Sequence, residues 1–575
     1  MKQLLLSTYR LFIVTMLMIT TTAVASASAR MSINGCPAFA DDSTHSLLAS
    51  VPQEWFGSSV SATINGVDGT QVVSIDGIPI DDASTFTFEN IDGTKSWKVV
   101  IASGDSTTTY SLQFTYLPIV LLEGNPGYEY VDGSMVIAEP GQPESETMLA
   151  RLKWRGFSTN VEGKHKRNYS IKFVNANGEK QNRKLLGLRR DNHWILDAGQ
   201  PDMARCRNRV ATDLWLDMAR DPYHYELAPD ALTGGRGKMV EVFLGNDYRG
   251  IFNLMEPVDR KQLQLVQHDT INNVFHGGLW KTDKFNSVTG FRIAPEYNDS
   301  LPDYYSFVTK YPDFDEVFPT SYKVLYDAVL AMENSEYIGY YNRLAEQHFD
   351  IPIMIDYTIL CATLNANDNE PKNIYWYCYD RQTDPRLSLA VWDFDTSVGQ
   401  SWEPSEWRPP KVASDYFNQP YSWIFKMFLH NKCKFRQDFL DRYDELRQSW
   451  LSTENLIQRY SNAIDMLIDC GAAKREQDRW NGDSDLFGHD LNFEEEKQYI
   501  TQWIEERMPL LDVWMHHHIC DVNFDGAVNA ADITRIYNHI LFGDIDAYDT
   551  NLDTNFDGVI NVADITSVYS VILGL

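Results

Sequence analysis

The sequence predicts a multidomain protein with an N-terminal all-β sandwich, a central α+β body and a C-terminal all-α tail. The length of 575 residues exceeds that of one typical domain. The sequence pattern changes near residues 118 and 516, from short alternating strands to mixed strands and helices, and then to a short repeat rich in Asp, Asn and Gly. Hydrophobic residues make up 43% of the chain, enough to form large cores and to exclude wholesale disorder.

The charge balance excludes two classes of partner. The chain has 50 Lys and Arg residues against 80 Asp and Glu residues, a formal net charge of −30. Such a charge repels nucleic acids and anionic membranes, so we expect neither as a partner. An acidic balance serves either solubility or cation binding, and the positions of the carboxylates decide between these explanations.

The first residues are typical of an exported protein. Lys2 and Arg10 precede an apolar run at 11–19, and small residues follow at 25–29. This pattern predicts a secretory signal peptide over residues 1–29. The run is shorter than the roughly 20 apolar residues of a membrane span, and no later segment reaches that length. Seven cysteines without a CxxC pair predict neither a disulfide framework nor a zinc site.

Residues 30–117 are predicted to form the β-sandwich. Short alternating runs at 72–75, 86–88 and 110–114 are separated by Asn-Gly or Asp-Gly pairs, which favour tight turns between strands. These turn candidates lie at 65–66, 68–69, 76–77 and 92–93. The pattern resembles accessory immunoglobulin-like modules of secreted bacterial enzymes, and no residue in it suggests chemistry. We therefore expect a spacer.

Residues 118–515 are predicted to form the α+β body. Strands are predicted at 169–174, 239–244 and 250–254, and helices at 206–219 and 438–449, where apolar residues recur every three or four positions. Further helices are expected from about 430 to 515. His516, His517 and His518 follow, and we interpret them as a linker rather than a metal site.

The tail contains a duplicated loop. Residues 521–532 and 553–564 are in register at an offset of 32. Each copy has oxygen side chains at positions 1, 3, 5, 9 and 12, Gly at position 6 and a backbone carbonyl at position 7, which suits calcium. An apolar helix follows each loop. The predicted calcium ligands are Asp521, Asn523, Asp525, Asn529, Asp532, Asp553, Asn555, Asp557, Asn561 and Asp564.

This tail, residues 516–575, resembles a type I dockerin. The resemblance implies two bound calcium ions and a cohesin domain of a scaffoldin as the partner, and hence a secreted, extracellular protein in a cellulosome on the cell surface. In the family, loop positions 10 and 11 read the partner. Here they are Ala530-Ala531 and Val562-Ala563, where some dockerins carry Ser-Thr, so the class of cohesin stays open.

The body carries a spaced set of carboxylates and an amide. Asp368 and Asn373 have the D-x-x-x-x-N spacing of a kinase catalytic loop, and Asp393 precedes a Phe after a predicted strand. Phosphoryl transfer needs one carboxylate to orient or deprotonate the acceptor hydroxyl, and an amide and a second carboxylate to fix magnesium. The pattern favours Asp368 for the first role and Asn373 and Asp393 for the second, with Asp395 as a further metal ligand.

Upstream motifs strengthen this interpretation. The ordered set is Arg155-Gly156-x-Ser158, Lys166-x-x-Tyr169-x-Ile171-Lys172-Phe173, Lys184-Leu185-Leu186-Gly187-Leu188, Trp194-x-Leu196, Arg205-x-Arg207 and Asn246-x-x-x-Gly250-x-Phe252-x-Leu254-x-Glu256. It resembles the spore-coat kinase family CotH over about residues 150–430. The resemblance implies a secreted atypical protein kinase, related in fold to eukaryotic and Golgi-type kinases, that transfers phosphate from ATP to Ser or Thr of a protein with Mg²⁺ or Mn²⁺. It makes Asp368 and Asp393 the catalytic pair.

Four cations near the first motifs are the predicted ATP contacts: Arg155, Lys166, Arg167 and Lys172. Arg offers forked donors to phosphate and Lys a point charge. For any single one of these cations, a position on a solvent-exposed strand face with no ligand is an equally good interpretation. Glu256 is either the partner of such a lysine or an ordinary strand-end carboxylate. The chain lacks a full G-x-G-x-x-G loop and the His-Arg that usually precedes the catalytic Asp.

Two alternative functions remain open. One is a catalytically inactive CotH-like module with a structural or binding role, because ATP is scarce outside cells. The other is a carbohydrate-active hydrolase, which needs two carboxylates in an aromatic-lined groove. The kinase-like context of Asp393 and Asp395 disfavours the hydrolase.

Overall fold

The computed structural model describes residues 29–67, 69–156, 158–298, 300–313, 322–333, 347–401, 423, 435–523, 527–543, 552–555, 557 and 559–574. The predicted signal peptide lies outside the described residues except for Ala29. The chain separates into two compact units. The first comprises Met1–Ala198, Lys238–Leu254 and Met466–Asn481, and the second comprises Gly199–Gly237, Met255–Asp465 and Gly482–Leu575.

The strands of the described residues are numbered in chain order. They are β1 Met31–Ile33, β2 Cys36–Asp41, β3 Ser46–Ser50, β4 Val60–Gly66, β5 Thr70–Ile75, β6 Ile78–Pro79, β7 Ser84–Phe88, β8 Trp97–Ser103, β9 Ser106–Thr115, β10 Ile119–Glu123, β11 Val131–Ala138, β12 Met148–Arg155, β13 Asn168–Phe173, β14 Arg183–Lys184, β15 Arg190–Asp191, β16 His193–Asp197, β17 Gly237–Leu244, β18 Asp247–Met255, β19 Gly278–Thr282, β20 Phe307–Tyr311, β21 Ile374–Cys378 and β22 Ser388–Val391.

The α-helices of the same residues are also numbered in chain order. They are α1 Arg207–Met218, α2 Lys323–Glu333, α3 Ile351–Leu364, α4 Phe435–Arg447, α5 Thr453–Asp469, α6 Ala472–Trp480, α7 Phe493–His517, α8 Ala530–Phe542 and α9 Val562–Leu573. No helix of the described ranges is both long and apolar enough to cross a lipid bilayer.

The N-terminal region is β-rich, as predicted. Strands β1–β9 form a nine-stranded sheet in the order β6-β5-β8-β9-β3-β2-β1-β4-β7. Its core is aromatic, with Phe88 packed edge-on against Trp97 and Phe114. Asp76-Gly77 forms the predicted turn between β5 and β6, whereas Asn65-Gly66 ends strand β4 and is not a turn. The finer assignment as a sandwich stays a prediction.

The first unit also contains a closed sheet of seven strands. Its order is β10-β11-β12-β13-β16-β18-β17, and the parallel pairing of β10 with β17 closes it. Apolar side chains that alternate along the strands fill the interior, among them Leu152, Ile171 and Trp194. The strands predicted at 169–174, 239–244 and 250–254 are confirmed as parts of β13, β17 and β18. Helix α6 belongs to the same unit.

The second unit contains a four-stranded sheet, β20-β19-β21-β22, and most of the helices. The predicted helices 206–219 and 438–449 are confirmed as α1 and α4, each within three residues at either end. The segment interpreted as a linker is largely helical. Helix α7 continues through His516 and His517, and His518 begins a short 3₁₀ turn that leads into the tail. His516 Nε2 lies 3.2 Å from Asp444 Oδ1.

Candidate active site

The candidate site begins where α3 ends. This helix is buried along almost its whole length, and Asn365 caps it in the left-handed conformation with φ 51°. Asn adopts this conformation more readily than most residues because its short side chain forms local hydrogen bonds. The chain then turns through residues 366–373 into β21. The buried helix therefore fixes the start of the loop that carries Asp368 and Asn373.

The pairing of β21 with β22 brings the two halves of the motif together. Ile374 lies opposite Val391 in the antiparallel register. Asn373, one residue before Ile374, and Asp393, two residues after Val391, therefore lie at the same end of the hairpin. Opposite residues of such a pair have Cβ atoms about 4.5–5.5 Å apart. Asn373 and Asp393, which are 20 positions apart in sequence, thus lie close together in space.

Hydrogen bonds from buried side chains hold the loop in place. Asn369 donates from Nδ2 to the carbonyl oxygen of Trp392, the residue before Asp393, at 2.9 Å. The hydroxyl oxygen of Thr282 on β19 accepts from the N–H of Ile374 at 3.1 Å. Asn369 and Thr282 are fully buried, so water does not compete for these bonds. The loop, β19 and the Asp393 segment consequently form one hydrogen-bonded arrangement.

Asp368 is the centre of a polar cluster within the loop. Lys372 Nζ lies 2.8 Å from Asp368 Oδ1 and 2.7 Å from Oδ2. Asn373 donates from Nδ2 to Asp368 Oδ2 at 3.0 Å. The side chains of Asp368 and Lys372 are about one-third exposed, at 31% and 29%, so a substrate can reach them. The sequence interpretation missed Lys372, although a cation four residues after Asp368 was visible in the motif.

Three residues of the site have strained backbones. Glu370, Asn373 and Asp393 have φ values of 40°, 58° and 68°, in the left-handed region that favours glycine. Such a conformation costs a non-glycine residue about 1–3 kcal/mol, less for Asn and Asp than for Glu, and is concentrated at functional sites, where the surroundings impose it. Two of the three, Asn373 and Asp393, are among the predicted metal ligands. The strain is independent support for a functional role of this loop.

The Asp393 segment is anchored through the residue between the two acids. Phe394 is fully buried, and its N–H donates to Asn208 Oδ1 on α1 at 3.1 Å. Asp393 and Asp395 on either side of it are only half-buried. The buried ring and its backbone bond therefore position two carboxylates at the edge of the site.

Arg207, from the predicted R-x-R motif, holds the turn that follows. Its Nε donates to the carbonyl oxygen of Ser397 at 3.0 Å, and its guanidinium pairs with Asp202 at 2.7 Å and with Glu496. Burial opposes the charge on Arg207, but Glu496 and Asp202 outweigh it and raise its pKa. Arg207 is fully buried, so it supports the site without reaching a ligand.

An aromatic pair and a lysine lie beside Asp393. The rings of Tyr375 and Trp392 meet edge to face, with centroids 5.7 Å apart. Lys281 Nζ on β19 lies 5.6 Å and 5.3 Å from these rings, within cation–π range. No motif pointed to Lys281, because only the pairing of β19 with β21 brings it here.

The four cations predicted to contact ATP lie in the first unit, in different surroundings. Arg155 on β12 and Lys172 on β13 lie on the face that points away from the apolar interior of the closed sheet. The Arg167 guanidinium stacks 4.0 Å from the ring of Trp154 and donates to the carbonyl oxygen of Val161 at 2.9 Å. Arg155 and Lys172 therefore remain candidates for phosphate contacts, whereas Arg167 has a local structural role.

Lys166 does not offer its charge at the surface. Its Nζ lies 2.8 Å from Glu476 Oε1 on α6 and donates to the carbonyl oxygen of Ile251 at 3.0 Å. The Lys166 side chain is 1% exposed and that of Glu476 is 0% exposed. Glu256 directly follows the end of β18 and pairs with Arg236 at 2.8 Å, which fits the alternative of a strand-end carboxylate. The lysine and its true partner are 310 residues apart in sequence, so no motif connected them.

The tail repeats one hydrogen-bonded loop twice. In the first loop, Asp532 Oδ1 accepts from the N–H of Asn523 at 3.1 Å and Oδ2 from the N–H of Asn529 at 2.8 Å. The aspartates at position 12, Asp532 and Asp564, are fully buried, so each loop folds over the carboxylate at its own end. Asp525, Gly526 and Gly558 lie outside the described residues. The second loop has the same bonds, from Asn555 at 3.3 Å and Asn561 at 2.8 Å to Asp564.

The asparagines at position 9 also cap the helices that follow. Asn529 Oδ1 accepts from the N–H of Ala531 at 2.8 Å, and Asn561 Oδ1 from that of Ala563 at 2.7 Å. Each forms a capping box with the aspartate three residues later. The same residues therefore order both the loop and the start of α8 or α9. Their role as calcium ligands stays a prediction.

The donor atoms of both regions suit hard cations. Asn373 uses its amide nitrogen for Asp368, so its amide oxygen takes no part in these two bonds. Amide and carboxylate oxygens are the ligands that Mg²⁺ and Ca²⁺ prefer. The residues of the site therefore fit Mg²⁺ or Mn²⁺, and the tail loops fit Ca²⁺.

Comparison with known proteins finds two family models along the chain. A model described as CotH kinase protein matches residues 152–511. A model described as Dockerin type I domain matches residues 519–573. A search of curated proteins finds no match. The first match begins within β12, so it covers the later strands of the closed sheet, α6 and the whole candidate site, but neither β10 nor β11.

Proposed function

Because the chain belongs to the CotH kinase protein family and ends in a type I dockerin domain, we propose that it is a secreted protein kinase held in a cellulosome. It transfers the γ-phosphate of ATP to Ser or Thr of a protein. The proposed division of the chain is a signal peptide at 1–29, a β-sandwich at 30–117, a kinase-like domain at 118–515 and a dockerin at 516–575. We also propose that the kinase-like domain is related in fold to other protein kinases.

One observation supports the kinase function most strongly. The β21–β22 register and the bond from Asn369 to Trp392 place Asp368, Asn373 and Asp393 at one end of a hairpin. These are the three residue types that phosphoryl transfer requires. Random acidic residues of a chain with net charge −30 would not be expected to combine this placement with strained backbones at two of the three positions.

Each residue has a role that follows from its surroundings. Asp368 accepts the proton of the acceptor hydroxyl. The hydroxyl oxygen forms a bond to the γ-phosphorus of ATP, the bond between the γ-phosphorus and the β–γ bridging oxygen breaks, and ADP leaves. Lys372 and Asn373 orient the Asp368 carboxylate through three contacts. Asn373, Asp393 and Asp395 hold the divalent cation, which neutralises phosphate charge when bound. Arg207 anchors the turn after Asp395 through its bond to the carbonyl oxygen of Ser397.

The tail supports a proposal about location and partner. Two calcium-loaded loops order α8 and α9, and a cohesin domain of a scaffoldin binds the resulting surface. Calcium binding and folding of the tail are coupled, because loop carboxylates without a cation repel one another. Chelation of calcium should therefore release the protein from a cohesin column without abolishing phosphoryl transfer.

One observation favours the inactive binding module as a second candidate. Lys372 contacts both carboxylate oxygens of Asp368, the group that must receive the acceptor proton. The two candidates differ in one experiment, transfer of labelled phosphate from γ-labelled ATP to candidate proteins by the full chain with Mg²⁺ or Mn²⁺. The kinase proposal expects labelling that Asp393→Asn abolishes. Absence of labelling, together with equal ATP affinity of the wild type and Asp393→Asn, contradicts it.

A further inference from the structure

An exposed aromatic ring lies beside the candidate site. Phe285 is the third residue after the end of β19 and is 40% exposed. Its ring centroid lies 5.7 Å from Lys372 Nζ, the ammonium group that contacts both carboxylate oxygens of Asp368. Phe285, Lys372 and Asp368 all belong to the second unit. The ring is therefore close to the carboxylate that receives the acceptor proton in the proposed reaction.

Hydrogen bonds fix the segment that carries Phe285 beside the loop at 366–373. On the N-terminal side of Phe285, the carbonyl oxygen of Thr282 accepts from the N–H of Asn373 at 3.3 Å. On its C-terminal side, Asn286 donates from Nδ2 to Ser306 Oγ at 2.6 Å. The chain is thus held on both sides of Phe285. The place of the ring beside the loop consequently does not depend on a bound substrate.

Two distances limit how far the ring lies from the reacting group. Lys372 Nζ lies 2.7 Å from Asp368 Oδ2 and 5.7 Å from the Phe285 centroid, so the centroid lies no farther than about 8.4 Å from this oxygen, the sum of the two distances. Side chains on one face of an extended segment are two residues and about 6.4–6.8 Å apart. When the acceptor hydroxyl of an extended substrate contacts Asp368, the side chain two residues away can therefore reach the ring.

The surroundings of the ring select the class of side chain that gains from this contact. A second cation would be repelled by the ammonium of Lys372, which already lies beside the ring. An acidic side chain gains little, because Asp368 neutralises Lys372 and the face of an aromatic ring is electron-rich. A neutral polar side chain would give up hydrogen bonds to water. An apolar side chain removes exposed apolar surface on both partners, which is favourable.

We propose that Phe285 contacts an apolar side chain two residues from the acceptor Ser or Thr and thereby selects the protein segments that are phosphorylated. This inference rests on the proposed kinase function and deepens it by naming the substrate class, extended segments with an apolar residue two positions from the hydroxyl. Phe285 acts in substrate recognition and takes no part in proton transfer or metal binding. It lies outside every motif of the sequence, because only the folding of the chain after β19 brings it to the site.

The test uses short Ala-Gly peptides with a central Ser and one Leu at position −2, −1, +1 or +2 relative to it. It measures kcat, KM and the peptide dissociation constant with the full chain, ATP and Mg²⁺. Leu at −2 or +2 should lower KM about fivefold to tenfold relative to the peptide without Leu, as expected for partial burial of one leucine side chain. Phe285→Ala should remove this advantage and leave kcat within about threefold of the wild type.

Two further variants separate recognition from an effect on Lys372. Phe285→Leu keeps apolar surface but loses the ring, and it should retain most of the advantage. If the ring only orients Lys372, Phe285→Ala and Phe285→Leu lower kcat equally for every peptide, which overturns the inference. Phe542→Ala is the matched control, because Phe542 is a 72% exposed phenylalanine at the end of α8. Thermal unfolding of each variant verifies that it folds.

The remaining outcomes distinguish this inference from the proposed function. An advantage of Leu that survives Phe285→Ala, that occurs only at −1 or +1, or that is absent from the wild type overturns the inference, whereas transfer of phosphate to the peptides leaves the proposed function intact. Binding that depends on Leu and on Phe285 without any transfer supports the contact and contradicts the kinase proposal. If no peptide binds or is labelled, the inference fails, and the labelling of candidate proteins decides the proposed function.

Discussion

The ion pair between Lys166 and Glu476 makes the most quantitative prediction about the first unit. Both side chains are buried, and the carboxylate also accepts from the N–H of Ile251 at 2.8 Å. Lys166→Met removes the cation and leaves the carboxylate in an apolar setting that includes Trp480, whose ring lies 5.4 Å from the ammonium. Removing one partner of a buried pair typically costs about 3–5 kcal/mol, because the other charge stays buried without compensation.

This cost translates into a measurable fall in Tm. For a unit of roughly 200 residues, ~3–5 kcal/mol corresponds to a fall of about 6–20 °C. Differential scanning calorimetry of the full chain would show this fall in one transition only. Lys474→Met is the matched control on the same helix. Lys474 pairs with Asp478, but their side chains are 57% and 62% exposed, so its removal should cost less than about 0.5 kcal/mol.

The result also decides between two roles of Lys166. If Lys166→Met leaves every transition within about 2 °C of the wild type while ATP affinity falls tenfold or more, the lysine contacts phosphate and its structural assignment is refuted. A fall in Tm that the Glu476→Gln variant reproduces supports the structural assignment.

Three further predictions concern the anchors of the site, the tail and the pH response. Asn208→Ala removes the acceptor of the Phe394 N–H, and phosphoryl transfer should fall about tenfold or more while Tm changes by only a few degrees; an unchanged rate would exclude this anchor. Asp532→Ala removes the acceptor of two backbone N–H groups of the first loop. The calcium concentration at the midpoint of helix formation, followed by circular dichroism, should therefore rise at least about tenfold. Thr534→Ala, on the exposed side of α8, should not shift this midpoint. The pKa of His193 lies near 3 instead of its ordinary 6.5, so the unfolded chain binds more protons than the folded chain between these pH values. The free energy of unfolding that this group contributes is therefore present above pH 6.5 and is lost as the pH falls toward 3. His193→Gln should flatten the plot of unfolding free energy against pH in this range.

Local sequence signals predicted the parts of the site that lie within one stretch of chain. The spacing of Asp368 and Asn373 and the position of Asp393 after a strand were sufficient to propose one site, because a hairpin joins them. The duplicated loops were equally clear, since each loop and its helix are contiguous. The family matches confirm both resemblances.

These local sequence signals could not predict contacts between segments that are distant in sequence. Glu476 reaches Lys166 from α6, and Lys281 reaches Trp392 through the pairing of β19 with β21. The predicted cationic cluster of Lys166, Arg167, Lys172 and Arg155 is divided by the alternation of strand faces and by the burial of Lys166. Asn65-Gly66 failed as a turn because it ends a paired strand whose backbone approaches Thr70 closely.

The most direct test of the kinase proposal separates binding from chemistry at Asp368. Asp368→Asn keeps the shape of the side chain but cannot receive the acceptor proton. We expect this variant to bind ATP with Mn²⁺ within about threefold of the wild type and to transfer labelled phosphate about 10²–10⁴-fold more slowly. Transfer at the wild-type rate by Asp368→Asn would contradict the assignment of this site as the centre of a protein kinase.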